Sequence, residues 1–303
     1  MTSLIVAGAL FFIGGALRLT RVFPDNAALT LNQYVVRVAL PALILIRIPE
    51  LKWQADLWVP VASAWLMLLA GWLLGLQLGT YLKLTQARRL TLALMLALGN
   101  TSFIAIPLLT LFSRPDAIPI ALLYDQLGSF LGLAVLGSVL AQRDGQTPSI
   151  GQKLRAIVFF PPLIALLFAT LCGRYTWVQQ WFPALEPIAA SLVPVVMVAL
   201  GAQFSWQMGK TDRIIVTTAL TIKMLILPAL LTMLFLLTGQ HGLTAQVSIL
   251  EAAMPPMMSA AALASTYHLD EKLASRLVAL GIAVSFITIP LWSSWLNLMF
   301  AHR

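Results

Sequence analysis

The chain encodes an all-α polytopic membrane protein: ten transmembrane helices in two inverted five-helix repeats, with the fourth and ninth segments broken. Three observations predict this. First, the sequence is 60% hydrophobic and 10% charged, against about 25% charged for a soluble protein, and its mean hydropathy is +0.90. Second, ten apolar stretches come close to the ~20 residues a bilayer crossing needs: 3–20, 27–47, 57–82, 89–113, 117–141, 155–173, 183–204, 214–238, 243–266 and 274–299. Third, landmarks recur at nearly one offset. Pro41 and Pro194 are 153 residues apart, and Asn100 and Pro255 are 155 apart. The boundaries that follow are residues 1–142 for the first repeat, 143–154 for a polar inter-repeat loop and 155–303 for the second. Five is an odd number, so the second copy enters the membrane upside down.

Segment one opens Met-Thr-Ser-Leu-Ile without a basic n-region, so it reads as a retained span rather than a cleaved signal peptide. Segment two carries Arg37 one turn before Pro41. Segment three has Gly71, Gly75 and Gly79 at four-residue spacing, and segment five has Gly128 and Gly132. Such stripes let helices approach closely. Packing within the chain is their first use, and a homodimer face is the alternative. Cys172 in segment six has no second cysteine to pair with. His241, His268 and His302 fall in loops or at the end, so neither a metal site nor a cofactor is expected.

The net charge of +8 sets orientation rather than binding nucleic acid. With the N-terminus outside, the inner loops hold Arg18, Arg21, Lys83, Arg88, Arg89, Arg143, Lys153, Arg155, Lys210, Arg213, Lys272 and Arg276. The outer regions hold only Arg47, Lys52, Arg114, Arg174 and Arg303. Both termini therefore face outward. Trp53, Trp58, Trp177, Trp181, Trp292 and Trp295 collect near the outer ends, as an interfacial aromatic belt does.

The function is read from what interrupts the spans. Segment four contains Leu-Gly99-Asn100-Thr101-Ser102, and segment nine contains Glu251-Ala-Ala-Met-Pro255-Pro256-Met-Met-Ser259. A helix broken in oil leaves backbone groups unpaired at several kcal/mol each, and this is tolerated where the break lines a cavity. Paired breaks in corresponding halves point to a transporter's substrate site. Asn100, Thr101 and Ser102 bring donors and acceptors. The helix end that follows them is positive and suits a carboxylate. Pro255 and Pro256, with the Ser259 hydroxyl and the apolar Met257-Met258, form the other wall. Together these residues are the expected site for an anion with a modest apolar body.

Four ionisable residues, Arg37, Asp125, Lys223 and Glu251, lie about 12–15 Å along their helices, where a charge costs about 2.5–3.5 kcal/mol. A carboxylate there can take up a proton or hold a cation, so Asp125 and Glu251 are candidates for ion coupling, with H+ or Na+ as the coupling ion. Lys223 and Arg37 are candidates for charge compensation. Two positive and two negative charges also allow buried ion pairs that only hold helices together.

The order and spacing of Leu-Gly99-Asn100-Thr101-Ser102-Phe-Ile-Ala-Ile-Pro107, Leu-Tyr124-Asp125-Gln126, Lys223-Met-Leu-Ile-Leu-Pro228, Ala-Ala-Met-Pro255, Ala-Leu-Ala-Ser-Thr-Tyr267-His-Leu-Asp270 and Ser285-Phe-Ile-Thr288-Ile-Pro290-Leu-Trp292 resemble the auxin efflux carrier family over nearly the whole chain. Bacterial members of that family include malonate and other organic-acid permeases. The resemblance implies a fold related to bile-acid symporters and sodium/proton antiporters, in which helices four and nine are unwound and cross. It also implies a scaffold of helices one, two, six and seven and an elevator-like moving core of three to five and eight to ten. Asn100, Thr101, Pro255 and Pro256 would then form the crossover, with Asp125 and Lys223 in the core beside it. Ser102 stands where the family often has a second glycine. The reading is a secondary transporter for small mono- or dicarboxylates in the bacterial inner membrane. An anion-permeable channel or a membrane sensor is the alternative. No metal motif, nucleophile elbow or histidine dyad suggests an enzyme.

Overall fold

A computed structural model describes residues 2–24, 26–52, 54–111, 114–143, 149, 151–152, 155, 158–203 and 210–300. Among these residues the chain is helical apart from short links and one isolated backbone bridge. We number its helices α1 (Thr2–Leu19), α2 (Ala27–Glu50), α3 (Trp58–Tyr81), α4 (Gln86–Ala97), α5 (Thr101–Leu111), α6 (Pro115–Arg143), α7 (Pro161–Cys172), α8 (Phe182–Gln203), α9 (Arg213–Thr238), α10 (Gly242–Ala252), α11 (Met258–Thr266) and α12 (Glu271–Phe300). Six of them, α2, α3, α6, α8, α9 and α12, are long and apolar enough to cross a membrane. Trp53 and most of the 143–154 loop lie outside the described residues.

Three helices widen into a π turn at one register relative to a proline. The widened stretches Val35–Ala39, Thr101–Ala105 and Ile222–Ile226 each end two residues before a proline, at Pro41, Pro107 and Pro228. Proline has no amide to donate, and its ring clashes with the carbonyl four residues back. Opening the turn by one residue relieves both problems. A fourth π stretch, Tyr124–Phe130, has no such proline. Widening frees carbonyls, and in two places a tryptophan from a neighbouring helix answers one. The Trp65 indole donates to the Leu127 carbonyl at 3.0 Å, and the Trp292 indole donates to the Met224 carbonyl at 3.0 Å. Trp292 therefore helps hold the fold, while Trp58, Trp177, Trp181 and Trp295 are exposed.

The chain divides into two compact units, neither continuous in sequence. The first comprises Met1–Trp53, Ile106–Leu122 and Leu154–Ser205; the second comprises Gln54–Ala105, Leu123–Lys153 and Trp206–Arg303. In the first unit α1 packs on α8 through reciprocal glycines. A Cβ on Gly14 would stand 2.1 Å from the Val198 carbonyl oxygen, and one on Gly201 would stand 1.8 Å from that of Phe11. The Arg18 guanidinium closes this contact by donating to the Ala202 carbonyl at 2.7 Å. Arg47 pairs with Glu50 and Glu186, each at 3.1 Å, beside a cavity of about 310 Å³ lined by Leu43, Ile106, Thr110 and Leu192 among others.

In the second unit the predicted glycine stripe packs inside the chain. A Cβ on Gly71 would meet the Leu96 carbonyl at 2.2 Å, and one on Gly75 the Ala93 Cα at 2.4 Å, so α3 lies directly on α4. Nearer its N-terminus the same face of α3 receives α6, where a Cβ on Gly128 would meet Ala64 and one on Gly132 would meet Leu68. Asp270 caps α12 by accepting from the Leu273 amide at 2.9 Å and pairs with Arg88 at 3.1 Å. That explains part of the Tyr267-His-Leu-Asp270 motif by structure alone.

Candidate functional site

Both breaks belong to the second unit, and they meet. Helix α4 ends at Ala97 and Leu98 turns extended. On the other side α10 ends at Ala252, and Met257 is extended before α11 begins. The two extended stretches run antiparallel, with Gly99 opposite Pro256. The Asn100 amide donates to the Pro255 carbonyl at 2.8 Å, and the Met257 amide donates to the Leu98 carbonyl at 3.0 Å. Gly99 and Pro256 thus form the pair that exchanges no hydrogen bond, where opposite residues approach most closely. Pro256, which has no amide, sits where none is needed, and a Cβ on Gly99 would face Lys223, Glu251 and Met254. A Cβ on Gly281 of α12 would stand 2.9 Å from both Pro255 Cβ and Pro256 Cδ, so this glycine seats the proline pair.

This pairing narrows the sequence expectation of open helix ends. Two extended stretches in register satisfy each other, so the amides of Asn100 and Met257 are already bonded. Asn100 also caps the helix that follows: its side-chain oxygen accepts from the Phe103 amide at 3.2 Å and its carbonyl accepts from Ala105 at 3.4 Å. The Asn100 side-chain nitrogen stays buried without an acceptor.

Around the crossing lie buried polar side chains. Asp125, 1% exposed, accepts from the Thr101 hydroxyl and from the Gln126 amide at 2.6 Å, and Ser102 lies close to the same carboxyl group. Glu251, also 1% exposed, has both carboxyl oxygens without a hydrogen-bond partner, and Asp125 is within its electrostatic reach. The side-chain oxygen of Gln126 is likewise buried and unbonded. Lys223, 2% exposed, brings its ammonium to 3.4 Å from where a Cβ of Gly99 would stand.

Among the described residues, none of Arg37, Asp125, Lys223 and Glu251 forms an ion pair. The alternative of two buried structural pairs is therefore not realised. Arg37 belongs to the first unit and is exposed. Of the other predicted residues, Thr101, Pro255 and Pro256 are buried at the crossing, and Ser259 is half-buried on α11. Sequence reasoning missed Gln126, Gly99 and Gly281 as site residues. Gln126 stood within the quoted Tyr-Asp-Gln motif and could have been found there; Gly281 carried no signal of its own. Among the described residues no cluster of three or more metal-ligating side chains occurs.

Comparison with known proteins bears on what such a crossing does. A family model described as "Membrane transport protein" matches residues 4–293. An uncharacterized transporter of Methanothermobacter thermautotrophicus is 28% identical over 296 residues, covering 94% of each chain. An uncharacterized transporter of Methanocaldococcus jannaschii is 25% identical over 310 residues, covering 98% of this chain and 99% of its own.

Proposed function

This chain belongs to the membrane transport protein family, that of the auxin efflux carriers, and from that premise we propose that it is a secondary active transporter of small organic anions, coupled to a proton or cation gradient. It is a multi-pass membrane transporter rather than an enzyme. The observation that carries the finer reading is the crossing of the two breaks. Two helices stop, pair their extended backbones through Gly99 and Pro256, and restart, with Asn100, Asp125, Lys223 and Glu251 buried about them. A buried polar group without a partner is costly, and several gathered where helices are broken are the features of a substrate and ion site.

On this reading the ten segments form the inverted repeat, segments three to five and eight to ten are the moving core and one, two, six and seven the scaffold, and both termini face out from the inner membrane. Asn100, Thr101, Ser102, Pro255, Pro256 and Ser259 surround the substrate. Asp125 and Glu251 answer the coupling ion, and Lys223 balances their charge. Arg37, exposed and on the first unit, is left out of that set. Counterflow in proteoliposomes tests the reading, because only a carrier exchanges labelled for unlabelled substrate. Asn100→Ala is expected to abolish exchange while leaving the protein folded in the membrane. Exchange at the wild-type rate by a well-folded Asn100→Ala protein would remove the crossing as the site.

A further inference from the structure

We propose that Lys223 is the fixed positive charge that binds the substrate's carboxylate, beside the Asn100 carboxamide, and that the site prefers anions with one carboxylate over those with two. This rests on the transport reading above and adds a residue and a substrate class to it.

Lys223 is the one buried cation among the described residues. Its ammonium sits at the crossing, against Gly99, and among the described residues it has neither a hydrogen-bond partner nor an ion-pair partner. Asp125 and Glu251 are available in the same unit, yet neither lies within ion-pair distance. A buried lysine is tolerated only with compensation; here Asp125 and Glu251 balance its charge from beyond ion-pair distance, which leaves the ammonium's hydrogens open to a ligand. One residue along the chain from Gly99, the Asn100 side-chain nitrogen is buried and also lacks an acceptor. A carboxylate has two acceptor oxygens and no donor, so it matches these two donors. Gly99 leaves the room: a methyl group there would stand 3.4 Å from the Lys223 ammonium and 3.5 Å from the Glu251 carbonyl.

The neighbours of this place set the preference. Asp125 already accepts two hydrogen bonds, and both oxygens of Glu251 are unbonded. A second carboxylate on the substrate would meet these acids with no second buried cation to receive it, and like charges repel strongly where water is excluded.

The test is binding to the purified full-length protein, read as a rise in melting temperature with acetate, lactate, malonate or succinate. Wild type is expected to be stabilised by the monocarboxylates at lower concentration than by the dicarboxylates. Lys223→Gln is expected to weaken that binding about thirtyfold or more, and Lys223→Arg to restore part of it. Gly99→Ala adds a methyl group at ordinary contact distances, so it is expected to keep the unliganded melting temperature and lose the response. Undiminished binding by Lys223→Gln overturns the assignment and leaves the transport reading standing. If Lys223→Gln does not fold, undiminished binding by Gly99→Ala does the same. Tighter binding of dicarboxylates overturns the preference. A wild-type protein stabilised by none of the four overturns the anion reading, and this assignment with it.

Discussion

Val35–Ala39 and Ile222–Ile226 are built alike and end up differently. Each is a π turn of five residues with one basic residue in it, Arg37 or Lys223, and a proline two residues past its end. Yet Arg37 is exposed, and Lys223 is 2% exposed at the crossing of two broken helices. The backbone device is local and follows from the missing amide and the clash of the proline ring. Whether the charge it carries becomes a site depends on what surrounds it. Beside Lys223 two distant stretches of chain pair through Gly99 and Pro256; among the described residues no such pairing lies beside Arg37.

Experiments can break this contrast at several depths. The largest effect is expected from charge removal at Lys223: Lys223→Gln should lower substrate exchange in proteoliposomes about thirtyfold or more, and a variant that exchanges normally would make the two turns equivalent. Next comes the device itself. Pro228→Ala lets the helix close to an α turn, which rotates the residues before it by about 100° and carries Lys223 off Gly99; exchange should fall about tenfold, whereas Pro41→Ala should leave it nearly unchanged. A smaller effect is expected where Trp292 answers the carbonyl freed at Met224. Trp292→Phe loses one hydrogen bond, about 1 kcal/mol, visible as a drop in melting temperature. Smallest of all, Arg37→Gln should alter stability by less than about 0.5 kcal/mol and leave exchange within a factor of two. A strong loss there would return Arg37 to the coupling set.

Much of the site was legible because its signals are short-range. Gly99-Asn100 and Pro255-Pro256 break helices by their own chemistry, and charges in apolar stretches stand out at any depth. What they do for one another was not legible. Asn100 was expected to bring donors and acceptors; the structure has its side-chain oxygen capping Phe103 and its backbone amide bonded to Pro255, and leaves only its side-chain nitrogen unbonded. Open helix ends were expected at both breaks, and antiparallel pairing across about 155 residues of sequence closes part of them. The glycine stripe of α3 was readable from its four-residue spacing, but Gly14 and Gly201 were not, because each is defined by a carbonyl on a helix far along the chain.

Composition and periodicity alone determined that this is a membrane protein of apolar helices and where two of those helices break. Both follow from properties of a residue and its immediate neighbours: hydropathy, a missing amide, a missing side chain. Tertiary structure decided that the breaks pair with each other, that the buried charges stay apart, and that the compact units gather segments from distant parts of the chain. Those outcomes depend on which surfaces come within a few ångströms of one another, and contact at that range is settled only when the whole chain packs.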